Sequence, residues 1–292
     1  LGFTLALDKT PPASDCQEVL GIQIRLQERS GALSVDVQVE PRKLQLWALN
    51  ISEVVKLGRM DFKSAEKLIG RLSFAAWAIW GPPAWARLRG LHSFLQQGAG
   101  IITPEVIADF TWWQQRLVAS QSLEIIPRSF MSEPYVIYTD AEGSSGVGIV
   151  ICTPSVSRWV GCRVPEAVSK LLMSRTTQIF AYETLAVWAA LHIFGRQLQD
   201  RQVLFFIDNT SSLASVRKGS TRSPDVHTII GAIWDILAKF GIKATFRWVP
   251  SKLNLSDPPS RDKPPAVGSQ LPSRISWQTI ITVLQSGPHN RR

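Results

Sequence analysis

Two carboxylates end apolar, strand-like segments of this sequence. Asp140 closes the run VIYT and Asp208 closes the run VLFFI. A carboxylate at the end of a hydrophobic strand is costly unless water, a charged partner or a metal ion solvates it, so it tends to lie at the carboxyl edge of a sheet. Two adjacent strands of this kind would place their carboxylates side by side, where they repel at neutral pH. A divalent cation is the simplest remedy.

Two further acids complete a candidate set, although each has an ordinary structural explanation. Glu183 lies in the helical run IFAYETLAVWAALHIF, and a single glutamate in a helix usually faces solvent. Apolar residues such as Phe180, Leu185 and Trp188 crowd this helix, which favours instead a glutamate directed at a metal over the sheet edge. Asp257 in LNLSDPPSR is, taken alone, typical of a helix cap or a turn. Only the four acids as a set predict a metal site.

Oxygen ligands of this kind bind hard cations such as Mg²⁺ and Mn²⁺. Two Mg²⁺ ions about 3.5 to 4 Å apart can activate a water on one side of a phosphodiester and stabilise the leaving 3′ oxygen on the other. No zinc site competes, because the histidines and cysteines are scattered without ligand spacing: they are His92, His192, His227, His289, Cys16, Cys152 and Cys162. We therefore expect two Mg²⁺ ions, with Mn²⁺ as an alternative.

The composition favours a globular protein with an anionic partner. The chain has 292 residues, of which 45% are hydrophobic and 19% charged, so we expect two domains. A net charge of +9 favours nucleic acid or an acidic membrane surface. The sequence has no signal-peptide pattern and no apolar run of roughly 18 to 20 residues, so we expect an intracellular protein, in the cytoplasm or nucleus, without a membrane partner. Because the chain begins at Leu1 without methionine, we interpret it as a fragment.

Hydrophobic periodicity, together with breaks rich in Pro, Gly and polar residues, divides the chain into four segments: residues 1–40, 41–128, 129–262 and 263–292. The first has alternating apolar residues that predict a β-hairpin, with turns at Pro11-Pro12-Ala13 and Ser30-Gly31. The second is mostly α-helical, with helices predicted over 42–57, 62–80, 84–97 and from Thr103-Pro104-Glu105 to about Ser120. Its tryptophans favour core packing over a platform for stacking bases: they are Trp77, Trp80, Trp85, Trp112 and Trp113.

The third segment has the pattern of an α/β domain. Its predicted strands are 135–140, 146–152, 157–162, 202–208 and 242–249, and its predicted helices are about 175–195, 210–218 and 224–240. Three successive strands followed by alternation with helices indicate a mixed five-stranded sheet that starts antiparallel and ends parallel. The fourth segment is basic and rich in Pro and Gly, so we expect a partly flexible tail in which only 275–285 forms an element.

The third segment resembles the ribonuclease H domain that is fused behind retroelement reverse transcriptases. The matching pieces are YTDAEGSSGVGIV, FAYETLAVWAAL, FFIDNTSSLASVRKG and WVPSKLNLSDPPSR. The resemblance implies a ribonuclease-H-like sheet with flanking helices. It also implies that four acids correspond to the family's metal ligands and catalytic residues: Asp140, Glu183, Asp208 and Asp257. FIDNTSSL and NLSDPPSR are most similar to elements of the tyrosine-recombinase or DIRS type.

The segments before residue 129 are similar to the end of a reverse-transcriptase palm and the thumb or connection behind it. LDKTPPASDCQEVLGIQI, with Lys9 and Leu20-Gly21, resembles a palm hairpin that grips the primer. EKLIGRLSFAAWAIWGPPAWARLRGL resembles the thumb or connecting helices. The resemblance implies an upstream polymerase domain in the same polyprotein. We expect no polymerase activity from this chain alone, because it contains no aromatic-x-Asp-Asp motif.

Two positions depart from the family pattern. Many ribonucleases H have a histidine in the loop before the last acid, and here that loop reads Pro250-Ser251-Lys252-Leu253-Asn254. Asp257 is followed by Pro258-Pro259, which would begin a final helix awkwardly or replace it with an irregular segment. Asp257 is therefore the acid whose role as a ligand is least supported by the sequence.

We therefore expect a metal-dependent endonuclease that hydrolyses the RNA strand of RNA/DNA hybrids. Asn209 and Thr210 are candidates for contacting the sugar edges of the hybrid, where the 2′-OH distinguishes RNA from DNA. One alternative is a catalytically inactive ribonuclease-H-like scaffold that holds duplex nucleic acid. Another is a related transposase or exonuclease site, which would act on DNA alone. Glu142, a fifth acid near Asp140, is interpreted as a solvated turn residue.

Overall fold

The computed structural model describes residues 14–29, 32–119, 122–125, 133–272 and 275–287. Several predicted features lie outside the described residues: Lys9, the turns at Pro11-Pro12-Ala13 and Ser30-Gly31, and the chain end after residue 287. The chain forms two compact units, Leu1–Met131 and Ser132–Arg292. In the described parts, none of the helices is both long enough and apolar enough to cross a membrane.

Four strands of the first unit form an antiparallel sheet in the order β1-β2-β3-β6. They are β1 (Cys16–Val19), β2 (Ile22–Arg29), β3 (Ala32–Val39) and β6 (Leu123–Ile125). β2 and β3 pair along their whole length, from Ile22 opposite Val39 to Arg29 opposite Ala32. Gly21, with a φ of 82°, lies in the turn between β1 and β2, a left-handed conformation that glycine adopts without strain. The two alternating segments of the sequence thus become β2 and β3.

Four helices form most of the rest of the first unit: α1 (Pro41–Leu57), α2 (Phe62–Ala75), α3 (Pro82–Gln96) and α4 (Pro104–Val118). Two short strands, β4 (Arg59–Met60) and β5 (Gly100–Ile101), pair antiparallel. α2 begins where the side chain of Asp61 accepts a hydrogen bond from the amide of Ser64 at 3.0 Å. The helix predicted over 62–80 changes form at residue 76, because Ala76–Trp80 make a wider π-helical turn.

The tryptophans of the first unit differ in burial. Trp113 is fully buried and meets Trp80 and Trp112 edge to face, with ring centroids 5.7 and 5.4 Å away. Trp77 is 74% exposed. The prediction of core packing is therefore confirmed for Trp113 and its neighbours and is wrong for Trp77.

The second unit contains a mixed sheet in the order β11-β10-β7-β8-β9-β12. Its strands are β7 (Tyr135–Ala141), β8 (Gly146–Cys152), β9 (Ser157–Arg163), β10 (Gln202–Ile207), β11 (Lys243–Trp248) and β12 (Ser269–Gln270). β7, β8 and β9 are antiparallel neighbours, whereas β10 runs parallel to β7 and β11 runs parallel to β10. The antiparallel start and parallel remainder agree with the prediction.

The predicted number of five strands was wrong, because β12 adds a sixth at the edge of the sheet. β12 pairs with β9 in parallel, and the amide of Leu271 donates to the carbonyl of Trp159 at 2.8 Å. Gly268 precedes it with a φ of 88°, and a Cβ there would lie 2.8 Å from the backbone of Ser157. A strand of two residues is too short for a periodic signal, so the sequence pattern could not predict it.

Helices flank this sheet: α5 (Glu166–Ser169), α6 (Ile179–Phe194), α7 (Thr210–Lys218), α8 (Pro224–Lys239), α9 (Asp257–Ser260) and α10 (Trp277–Ser286). α6 is buried on almost every side and shares a core with sheet residues such as Ile137, Ile149 and Phe205. α10 packs on α8, and its Trp277 ring lies 5.8 Å from that of Trp188 on α6. This mixed sheet with flanking helices is compatible with a ribonuclease-H-like fold.

Candidate metal centre

Three of the four predicted acids come together where β7 and β10 end. Asp140 lies near the end of β7, Asp208 directly follows β10, and Glu183 lies on α6. The parallel register pairs Thr139 with Ile207, so the next residue along each strand is an aspartate. One carboxylate oxygen of each acid lies within 4.8 Å of the other two. With Asp140 only 4% and Glu183 only 3% exposed, water can do little to screen their repulsion.

Glu183 is a buried acid whose carboxylate is only partly satisfied. The amide of Ala141 donates a hydrogen bond to it, but Oε2 is buried and has no hydrogen-bond partner within the described residues. Burial, and then the charges of Asp140 and Asp208, raise the pKa of Glu183 to about 9. An orphaned, buried carboxylate oxygen beside two other acids is a position where a cation would relieve both the repulsion and the missing contact.

Asp140, unlike Glu183, has a hydrogen-bond donor near each carboxylate oxygen. The Ser260 hydroxyl donates to Oδ2 at 2.5 Å, and the Asn254 side-chain amide donates to Oδ1 at 3.5 Å. Burial nevertheless raises the pKa of Asp140 to about 7; the Ser260 hydrogen bond opposes this rise, and the charges of Asp208 and Asp257 add to it. Burial therefore favours the protonated form of Asp140 more than it is favoured in an exposed aspartate.

A pair of glycines lets the chain segment that carries these donors lie against the sheet. Gly148 on β8 is directly opposite Asp140. A Cβ on Gly148 would lie 2.1 Å from the carbonyl oxygen of Ser256, and one on Gly146 would lie 1.9 Å from that of Ser260. No real side chain tolerates such distances, so both positions require glycine for a close backbone approach. α9 packs on β8, the strand that carries both glycines.

The fourth predicted acid, Asp257, lies outside the group of three. It begins α9, which extends for only four residues. Its Oδ1 accepts a hydrogen bond from Arg261 Nη2 at 2.9 Å, so it has an ion pair of its own. Its charge still reaches Asp140, whose pKa it helps to raise. The structure thus gives Asp257 an ion pair with Arg261 and an electrostatic influence on Asp140, and its role as a metal ligand stays a prediction.

The residues around Asp208 have structural partners. Its carbonyl accepts a hydrogen bond from the indole of Trp248 at 3.1 Å. Asn209 caps α7, because its side-chain oxygen accepts from the amide of Ser212 at 2.9 Å. Thr210 is the exposed first residue of that helix. The predicted contacts of Asn209 and Thr210 with the sugar edges of a hybrid stay a prediction.

Sequence reasoning missed the donors that surround Asp140. The two donors, Asn254 and Ser260, lie in the segment that was selected only for Asp257, and both are buried, as is Ser256, which donates to Asn254. Small polar residues near prolines ordinarily indicate a solvated loop, so their types alone could not reveal burial. Glu142, predicted to be a solvated turn residue, is half-buried and forms an ion pair with Arg163 at 3.9 Å.

The donor set fits a hard divalent cation. Three carboxylates converge without histidine or cysteine, and one buried oxygen of Glu183 has no other partner in the described structure. Hard cations such as Mg²⁺ and Mn²⁺ prefer oxygen ligands of this type. The residues that could hold the ion are Asp140, Glu183 and Asp208.

Comparisons with known proteins add little to this geometry. No protein-family model matches the sequence, and no curated protein matches it. Among solved structures, the chain is similar to the N-terminal RNase H domain of Rv2228c from Mycobacterium tuberculosis, solved as a fusion protein with maltose-binding protein. That similarity covers 42% of this chain and 86% of the other at 15% identity, with a TM-score of 0.28. A TM-score this low carries no argument about fold or function, so the functional case depends on the site and on the sequence resemblance.

Proposed function

We propose that the second unit is a metal-dependent endonuclease that hydrolyses the RNA strand of RNA/DNA hybrids. It would act as the ribonuclease H part of a retroelement reverse transcriptase of the tyrosine-recombinase or DIRS type, with a polymerase domain in the same polyprotein. The observation that carries the proposal is the cluster of Asp140, Glu183 and Asp208, in which the first two are buried and Oε2 of Glu183 has no hydrogen-bond partner among the described residues. The ordered motifs of the sequence supply the substrate class.

The chain's own residues have distinct roles in this proposal. Asp140, Glu183 and Asp208 would hold Mg²⁺, and Asp257 would complete the set. The bound cation would supply an activated water and stabilise the leaving 3′ oxygen. α6 and the two parallel strands fix the three carboxylates before substrate arrives, so little reorganisation is needed. The net charge of +9 would attract the phosphates of the hybrid.

The direct test is cleavage of an RNA/DNA hybrid labelled on the RNA strand, with duplex DNA and duplex RNA as comparison substrates. The wild type should cut the hybrid only when Mg²⁺ is present. Asp208→Asn should reduce the rate by ~100-fold or more, because losing one charged ligand costs several kcal/mol of transition-state stabilisation. The matched control is Glu166→Gln, which removes an exposed acid that pairs with Lys170. Equal cutting by wild type and Asp208→Asn, or no cutting by either, would overturn the proposal.

A second candidate function is a ribonuclease-H-like scaffold that holds duplex nucleic acid without cutting it. Two observations favour it: Asp257 pairs with Arg261, and the loop before it has no histidine. This version predicts hybrid binding without cleavage and no thermal stabilisation by Mg²⁺ or Ca²⁺. Cleavage of duplex DNA, with the hybrid left intact, would instead indicate a transposase or exonuclease site.

A further inference from the structure

The Asp140 carboxylate is bounded by one short segment of the chain. The Ser260 hydroxyl lies 2.5 Å from Oδ2 of Asp140 and 2.8 Å from the carbonyl oxygen of Asp257, so its proton is shared between two acceptors and the acid is the nearer one. On the other side, Asn254 Nδ2 lies 3.5 Å from Oδ1. Both donors come from the loop and turn after β11, which the chain brings over the end of β7.

The Asn254 side chain is itself held in one orientation. Its oxygen accepts hydrogen bonds from the Ser256 hydroxyl at 2.6 Å and from the Ser256 amide at 3.3 Å. Its nitrogen also donates to the carbonyl of Thr139 at 3.1 Å, the residue just before Asp140. Asn254, Ser256 and Ser260 are at most 4% exposed, so water cannot readily replace these bonds. A fully satisfied buried polar network of this kind is rigid.

From these contacts we propose that Asn254 and Ser260 are positioning residues that fix the carboxylate of Asp140 for metal binding. In this role neither would bind the metal or the substrate, and each would act through Asp140. A carboxylate that ligates a metal usually needs such partners, since otherwise it rotates among conformations and the ion must order it. The proposal rests on the metal-binding function proposed above. It adds a hydrogen-bond network that joins Asp140 to the segment that contains Asp257.

A purely structural role would predict a different outcome from the same contacts. If the hydrogen bonds served only to attach α9 to the sheet, removing one would lower the stability of the metal-free protein and leave its affinity for metal unchanged. If they fix Asp140, metal affinity should fall even in a folded variant. The two roles therefore separate when affinity and stability are measured independently.

The test is an electron paramagnetic resonance titration of Mn²⁺, in which the signal of the free ion reports binding without any need for catalysis. Ser260→Ala should weaken Mn²⁺ binding by ~10-fold or more, the usual effect of removing a partner of a metal-ligating group. The control is Ser212→Ala, which removes an equally buried hydroxyl that donates to the carbonyl of Phe180 and contacts none of the three acids through a hydrogen bond. Its Mn²⁺ affinity should equal that of the wild type.

A second variant keeps the test decisive if Ser260→Ala does not fold. Asn254→Ser removes the amide that reaches Asp140 and Thr139 but leaves a hydroxyl beside Ser256. It should also weaken Mn²⁺ binding by ~10-fold. A folded variant at either position that binds Mn²⁺ as tightly as the wild type overturns the positioning role and leaves the proposed nuclease intact. A wild type that binds no Mn²⁺ overturns both.

Discussion

Asp225 and Glu183 are both buried acids of the second unit, but of the two only Asp225 forms an ion pair with a basic side chain. Asp225 is fully buried and pairs with the guanidinium of Arg175. It also accepts hydrogen bonds from the Ser223 hydroxyl at 2.7 Å and from the Met173 amide at 2.9 Å. Burial alone would raise its pKa, but Arg175 and these donors lower it to about 2. The pKa of Glu183 is shifted in the opposite direction, from 4.5 to about 9.

The difference between the two acids separates a structural carboxylate from a candidate ligand. A buried charge must be compensated, and at Asp225 the compensation is built into the sequence. At Glu183 the interacting groups are the charges of Asp140 and Asp208 and the amide of Ala141, and Oε2 has no hydrogen-bond partner among the described residues. The compensation therefore has to come from a proton or from an added cation. Burial alone therefore does not distinguish a structural acid such as Asp225 from a candidate metal ligand such as Glu183. The charges of the neighbouring side chains make the distinction.

The largest expected effect concerns the structural acid. Asp225→Asn should lower the free energy of unfolding by ~3 kcal/mol, because it leaves the Arg175 charge without its buried partner. Urea unfolding in metal-free buffer measures this. Glu166→Gln is the control, since its ion pair with Lys170 is exposed and worth ~1 kcal/mol at most. A loss at Asp225 no larger than that of the control would contradict the assignment of a stabilising pair.

The second prediction uses the opposite pH dependence of the two sites. Asp140 and Glu183 have pKa values raised from 3.8 to about 7 and from 4.5 to about 9, so the folded state binds protons more tightly than the unfolded state. The metal-free protein should therefore lose stability as the pH rises from about 5 to about 8. The contribution of Asp225, whose pKa is lowered, is present above pH 3.8 and is lost as the pH falls towards 2.

Mg²⁺ should reverse the loss at high pH. At a concentration 100 times its dissociation constant, it would add ~2.7 kcal/mol to the free energy of unfolding. Urea unfolding over this pH range, in EDTA and in Mg²⁺, measures both effects, and Glu183→Gln should reduce both the slope and the gain from metal. If the stability of the metal-free protein stays flat or rises from about pH 5 to about pH 8, the charges of Asp140 and Glu183 are already compensated within the protein.

The last prediction leaves every acid unchanged and displaces only the segment that carries the donors of Asp140. Gly148→Ala should cost ~1–3 kcal/mol, because its Cβ would lie 2.1 Å from the backbone carbonyl of Ser256 and 2.5 Å from the amide of Ser260. Gly143→Ala is the matched control in the preceding turn, where a Cβ would meet nothing within 4 Å. Thermal melts of both variants, with and without Mg²⁺, give the comparison. Equal melting temperatures would mean that the segment from Ser256 to Ser260 can move away from the new Cβ without loss of stability.

The sequence predicts one part of this site much better than the other. Apolar strands that end in Asp140 and Asp208 determine where those acids go, and α7 is found at Thr210–Lys218 as predicted for 210–218. The contacts of Asn254 and Ser260 could not be predicted in this way. They depend on how closely a loop approaches Gly148, a tertiary distance that leaves no periodic pattern in the chain.

The tail of the chain also covers part of the sheet edge and part of the core of the second unit. β12 occupies the outer edge of β9, and Ile280 and Leu284 of α10 are fully buried in the core of the same unit. A fragment that ended at residue 262 would leave the outward-facing backbone groups near Arg158 and Trp159 of β9 unpaired and would uncover that part of the core. An uncovered strand edge is a template for pairing with another copy of the chain. β12 and α10 therefore shield part of the sheet edge and part of the core of the second unit from solvent.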